Sequence, residues 1–223
     1  PFKSRLDSLA KRRETLSFRD KPSLELRLDG DATRPGAMTG RVALTAVGAT
    51  MPWGSLEALA AELNLDDLDG IAGSLRVTGL ATATAKIGSA TATVTAPQLA
   101  TNAVPESVRF ALSLGQATVS KAAVESVELS GNLAKAESPP ETDESWAQWA
   151  GLAPYEANFS GLANGITGEK GLAIADVALA GNWRAPRLAI SRLDARLYDG
   201  SVSGTAELDI ATRLAKATGR ADF

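Results

Sequence analysis

Leu24, Leu26 and Leu28 alternate with Glu25, Arg27 and Asp29, the period-two pattern of a strand with one apolar and one wet face. Val42, Leu44 and Ala46 carry the alternation onward. Between 73 and 96 threonine alternates with alanine, which sets β-branched and small side chains on opposite faces; the run divides into two strands at Gly88-Ser89. Val108, Phe110, Leu112 and Leu114 line one side of the next segment. Residues 155–162, 171–181, 186–200 and 201–210 read as further strands, with Asp199-Gly200 as a hairpin turn. Leu188, Ile190 and Leu193 share one strand whose apolar phase slips by one residue after Ile190, a slip that a β-bulge accommodates.

Two segments have helical spacing instead. Phe2, Leu6 and Leu9 predict a short helix over 2–13. Trp146, Trp149 and Leu152 share a helical face after Pro139-Pro140 and the acidic residues Glu141, Asp143 and Glu144, which predicts a helix over 143–152 within an insertion near 139–153. The acidic residues suit a helix N-terminus without any catalytic role.

Residues 55–65 are rich in helix formers, and propensity alone makes them a helix. An internal match argues for a strand. Leu56, Leu59, Ala61 and Leu63 align at a constant offset with Ile190, Leu193, Ala195 and Leu197, and each copy follows a Trp with a nearby Pro (Trp53 and Pro52, Trp183 and Pro186). Val124, Val127 and Leu129 echo the same spacing. The pattern predicts equivalent strands in stacked modules, with Trp53 and Trp183 plugging the sheet end at matching positions.

Composition narrows the chemistry. Among 223 residues there is no cysteine and no histidine, which excludes thiol nucleophiles, imidazole bases and the usual structural zinc sites. The net charge of −3 leaves no electrostatic footprint for nucleic acid; the short run Lys11-Arg12-Arg13 reads as a solvated helix face. Apolar residues reach 44%, but aromatics only 5%, so the core is thin and alanine-rich. The stretch 65–70 misses a calcium loop because Leu65 and Arg76 fall where carboxylates are required. The glycines of 161–168 lack the lysine of a phosphate loop, and Asn158 heads a glycosylation triplet inside a strand. The chain starts at Pro1, shows no signal peptide or run of about 18 apolar residues, and stops within an alternating pattern, so it reads as an interior piece of a longer protein.

The stretch from Trp183 to Asp209, W-R-A-P-R-L-x-I-x-x-L-x-A-x-L-Y-D-G-S-V-S-G-x-A-x-L-D, resembles the AsmA-like family of bacterial envelope proteins, with support from 52–63 and 146–159. The resemblance spans most of the chain as a pattern of short strands. It implies a mainly β fold: one segment over 1–223, an antiparallel, curled, repeat-built sheet forming a groove, with one or two short helices. It also implies a periplasmic location, an inner-membrane anchor outside these residues, outer-membrane protein partners, and phospholipid acyl chains carried between inner and outer membranes in support of outer-membrane biogenesis. No cofactor, metal or catalytic residue is expected.

Physics supports the resemblance independently: the apolar face of an alternating sheet must be covered by a second sheet, by its own curl, or by a ligand with apolar tails. The candidate groove residues are Leu26, Val108, Phe110, Leu112, Leu188, Ile190, Leu193 and Leu197. A dry structural or protein-binding solenoid or sandwich is the alternative of another class, and a carboxylate-based hydrolase is a third.

Overall fold

The computed structural model describes residues 17–31, 39–66, 70–97, 106–138, 154–209, 211–212 and 214–222. Both expected helices, over 2–13 and 143–152, lie outside them. The described residues form β1 (Ser17–Phe18), β2 (Ser23–Asp29), β3 (Thr39–Met51), β4 (Gly54–Asp66), β5 (Gly70–Thr82), β6 (Ala85–Ala96), β7 (Ser107–Val119), β8 (Ala122–Lys135), β9 (Tyr155–Thr167), β10 (Ala173–Arg184), β11 (Arg187–Leu197), β12 (Gly200–Asp209) and β13 (Leu214–Asp222), with one 3-10 turn at Glu169–Gly171. From β3 to β13 each strand pairs antiparallel with the next, and β1 and β2 share the outer side of β3. The sheet is open, with β1 and β2 at one edge and β13 at the other.

Alternation dictates its two faces. Leu24, Leu44, Ala61, Leu75, Ala92, Leu112, Leu129, Gly161, Leu179, Leu193, Gly204 and Gly219 lie side by side in one row that crosses the sheet. The next row on the same face holds Leu26, Val42, Leu63, Val94, Phe110, Phe159 and Ile190, with glycines and alanines between the larger side chains. The large residues lean over the small ones: a Cβ at Gly131 would sit 2.7 Å from the Phe110 ring, and one at Gly181 2.8 Å from the Phe159 ring. Cross-strand pairs of this kind each contribute about 0.2–1 kcal/mol.

One line across the sheet breaks the alternation. By the register of the flanking pairs, Gly48, Glu57, Gly79, Gly88, Gln116, Glu125, Gly165 and Ala175 stand opposite one another from β3 to β10, and the pairing is interrupted there. Every second strand takes a left-handed conformation at this line: φ is +61° at Gly48, Gly79 and Gly165, and +50° at Gln116. Around it the apolar spacing lengthens from two residues to three, as in Ala46 to Ala49, Leu56 to Leu59 and Val124 to Val127. Ala46 and Ala49 are both buried, although a regular strand would send them to opposite faces. The extra residue in each strand therefore restores the apolar side to the same face beyond the line. In β11 the slip sits elsewhere: register shifts bracket Ser191, the place where the phase change after Ile190 predicts a bulge.

Several sequence expectations change. The segment 55–65 is strand, as the pattern required. Gly88-Ser89 is no turn; the chain reverses at Ala83-Thr84, and Gly88 lies inside β6 because it belongs to the interrupted line. The β11–β12 turn is Tyr198-Asp199, with Tyr198 left-handed at φ +52° and Gly200 opening β12. Strands β4 and β11 run in opposite directions, so Leu56 lies in the row that ends with Leu197, not with Ile190. Val124, the shorter echo, does share the row of Leu56, on a strand of the same direction. Trp53 and Trp183 stand at opposite ends: Trp53 is 59% exposed in the β3–β4 turn, whereas Trp183 is buried near the far end of β10.

The far-ultraviolet circular dichroism spectrum should be dominated by β structure; a helix-dominated spectrum contradicts the fold. Valine at Gly79 meets both a left-handed backbone and the Glu57 side chain lying over the site. Gly79→Val should lower unfolding free energy in urea by about 2 kcal/mol. Gln116→Gly, which relieves the same backbone conformation, should leave stability unchanged or raise it by up to about 1 kcal/mol. A neutral Gly79→Val would show that the interrupted line has no energetic weight.

Candidate functional site

A chain of 23.1 kDa folded as a compact monomer exposes about 9,700 Å²; this one exposes 15468 Å². Among the described residues no second layer lies over the sheet. Among the described residues the buried apolar positions are mostly alanines, with Leu56 and Trp183 as the large exceptions, and no large side chain is fully enclosed. On the apolar face Leu24, Leu26 and Leu28 are 58–68% exposed at the β2 edge, and Leu44, Leu63, Leu75 and Val94 remain exposed farther in. An exposed apolar face of this kind makes a candidate interaction site.

All eight candidate residues stand on this face. Leu26, Phe110 and Ile190 share one row; Leu112 and Leu193 share the next. Val108 and Leu188 lie in the row of Leu133, Ala157 and Trp183. Leu197 sits beyond the interrupted line, opposite Ile174. The structure thus joins them into one surface and does not converge them on a single pocket. Alternation alone did not pick out Leu44, Leu75, Val94, Leu129 and Leu179 as members of the same surface, because their inclusion depends on cross-strand register.

At the far end of the face, Trp183 and Ala157 pack with Leu133, Tyr155, Phe159 and Leu188. The Trp183 Nε1 is buried without a hydrogen-bond acceptor. The indole fills the row as an apolar body.

The opposite face is polar, and its charges pair locally. Arg41 meets Glu62 at 3.0 Å, Arg187 meets Asp209 at 3.3 Å, and Arg196 and Arg192 pair with Asp176 and Asp194. A hydrogen bond donated by the Asn64 amide at 2.9 Å, with Arg41 adding, holds the Glu62 carboxyl below its usual pKa. Asp209 is lowered by the backbone N–H of Thr212, with help from Arg187. A shallow concavity of about 560 Å³ crosses β6 to β11, lined by Thr91, Ser113, Glu128, Ser160, Leu162 and Arg192 together with Leu112, Leu129 and Leu179. Leu162 is 51% exposed within it, an apolar residue on the wet face that alternation does not predict.

Among the described residues no group of His, Cys, Asp and Glu is placed to hold a metal ion, and no helix is long and apolar enough to cross a membrane. The acidic residues Glu141, Asp143 and Glu144, with Trp146 and Trp149, lie outside the described residues. Comparisons with protein-family models, with curated proteins and with solved structures find no match to this chain.

Proposed function

We propose that this chain is a segment of a groove-forming protein of the bacterial envelope, of the AsmA-like kind, whose apolar face carries or shields phospholipid acyl chains between inner and outer membranes. The observation that supports the reading is the apolar face, several rows deep, that runs across the sheet without a covering layer among the described residues. Strands spaced about 4.8 Å apart make that face about 50 Å long across the sheet, longer than the roughly 30 Å hydrocarbon core of a bilayer. Acyl chains lie along the rows, each buried methylene contributing about 0.8 kcal/mol. Headgroups stay at the wet opening.

Sliding needs no chemistry, because neighbouring rows offer equivalent apolar contacts and a tail leaving one row enters the next. The β11 bulge bends that strand and raises its local twist. In this role the chain catalyses nothing and takes no cofactor. It works in the periplasm, with the inner-membrane anchor outside these 223 residues and outer-membrane proteins as partners at the far end. Exposed leucines along the face favour this over a dry structural core.

Phospholipid should co-purify with the chain in native mass spectrometry. Ile190→Asp should abolish co-purification while lowering stability by only about 1–2 kcal/mol, because the new carboxylate reaches water. Leu56→Asp, at a buried site, should cost at least about 3 kcal/mol. Wild-type protein free of lipid, together with outright unfolding of Ile190→Asp, would mean that the face is a packed core.

A further inference from the structure

The hairpin β3–β4 and the hairpin β7–β8 repeat one pattern. Laid over each other without a gap, they match Arg41 with Arg109, Leu44 with Leu112, Ala49 with Ala117, Glu57 with Glu125, Asn64 with Asn132 and Leu65 with Leu133. The register agrees as well. Arg41 stands opposite Asn64 and Ala43 opposite Glu62, just as Arg109 stands opposite Asn132 and Ala111 opposite Ser130. The left-handed residues Gly48 and Gln116 coincide in the same alignment. At one position of the polar face the exchange removes a carboxylate: the first copy has Glu62 where the second has Ser130.

In the first copy that carboxylate is the centre of a small network. Glu62 accepts from Arg41 Nε at 3.0 Å and from Asn64 Nδ2 at 2.9 Å. In the second copy both donors remain and the acceptor is gone. Among the described residues no carboxylate pairs with Arg109, and the Asn132 amide makes no side-chain hydrogen bond. Glu128, two residues from Ser130 on the same face, makes no ion pair with Arg109, and Glu156 is held by Arg184 at 3.9 Å. Strand β9 sets Asn158 opposite Asn132 and Ser160 opposite Ser130, where β5 offers the first copy only Ala72 and Ser74. We propose that Arg109, Asn132 and Ser130 form a binding site for the carboxylate of a ligand, seated where the Glu62 carboxylate lies in the first copy, with Asn158 and Ser160 as further donors. A guanidinium and an amide hold a planar oxyanion by charge-assisted hydrogen bonds, and the short Ser130 side chain leaves the place open. Ser130 and Ser160 line the concavity across β6 to β11, and Arg109 lines a second one with Thr95 and Ser107. All of these residues lie inside the sheet on its polar face, so the inference does not depend on what the apolar face carries.

Glutarate, a small dicarboxylate, is the probe, titrated against chloride at constant ionic strength so that screening stays fixed. Side-chain nitrogen–proton NMR signals read the binding residue by residue. Arg109 Nε and Asn132 Nδ2 should shift saturably, while Arg41 and Asn64, already engaged by Glu62, should not. Ser130→Glu supplies the carboxylate from within, as the first copy does, and should weaken glutarate binding at least tenfold. Glu62→Ser opens the first copy and should bring saturable shifts to Arg41 and Asn64. Both replacements sit on the wet face and should leave circular dichroism unchanged. The inference is overturned if Arg109 and Asn132 show no saturable shift, if Ser130→Glu binds glutarate as wild type does, or if Arg41 and Asn64 stay silent in Glu62→Ser. Tighter binding of inorganic phosphate than of glutarate would overturn the choice of a carboxylate.

Discussion

A β-strand sends successive side chains to opposite faces, and a sheet keeps one apolar face only while every strand obeys that alternation in register. From β3 to β10 the strands depart from it at one shared line, each gaining a residue so that the apolar side returns to the same face beyond. A single strand slipping alone would leave its residues unpaired; neighbours slipping together keep the ladder intact on both sides. The conformational cost falls on alternate strands, where glycine at 48, 79 and 165 accepts a positive φ and Gln116 bears it without that freedom.

From this follow two unlike surfaces. One is built of leucine, valine and phenylalanine set against glycine and alanine, cohesive along the rows and open outward. The other is threonine, serine and locally paired charge, stable in water as it stands. Among the described residues no second layer covers the apolar face. Cohesion comes instead from backbone ladders between sequence neighbours and from large-on-small contacts across them. Such a sheet leaves its apolar face open among the described residues.

Much of the architecture was legible in the sequence. Strand positions, the strand state of 55–65 despite its helix formers, and the bulge after Ile190 all follow from apolar spacing. The misreadings share a cause. Gly88-Ser89 resembled a turn because a glycine inside a strand is locally indistinguishable from one between strands; only its neighbours Gly79 and Gln116 across the ladder reveal its place. The match of 56–63 to 190–197 was a match of spacing, and the same three-residue step arises in β4 at the shared line and in β11 at a separate bulge. Trp53 and Trp183 looked equivalent by their neighbouring prolines, yet one caps a turn in water and the other is enclosed at the opposite end. For the candidate surface, alternation named Leu26, Val108, Phe110, Leu112, Leu188, Ile190, Leu193 and Leu197 as apolar-side residues. Their union into one surface with Leu75 and Leu129 needed the strand register, which no single stretch of sequence contains.

The central claim is that lipid tails meet one face of this sheet and not the other. Adjacent residues test it most directly, since Leu129 and Ser130, and likewise Leu75 and Arg76, differ in face and hardly at all in position. A photo-crosslinking amino acid placed at each of these four sites, illuminated in bacterial envelopes, should yield phospholipid adducts at 75 and 129 and none at 76 and 130. Adducts on both faces alike, or on neither, would contradict the account.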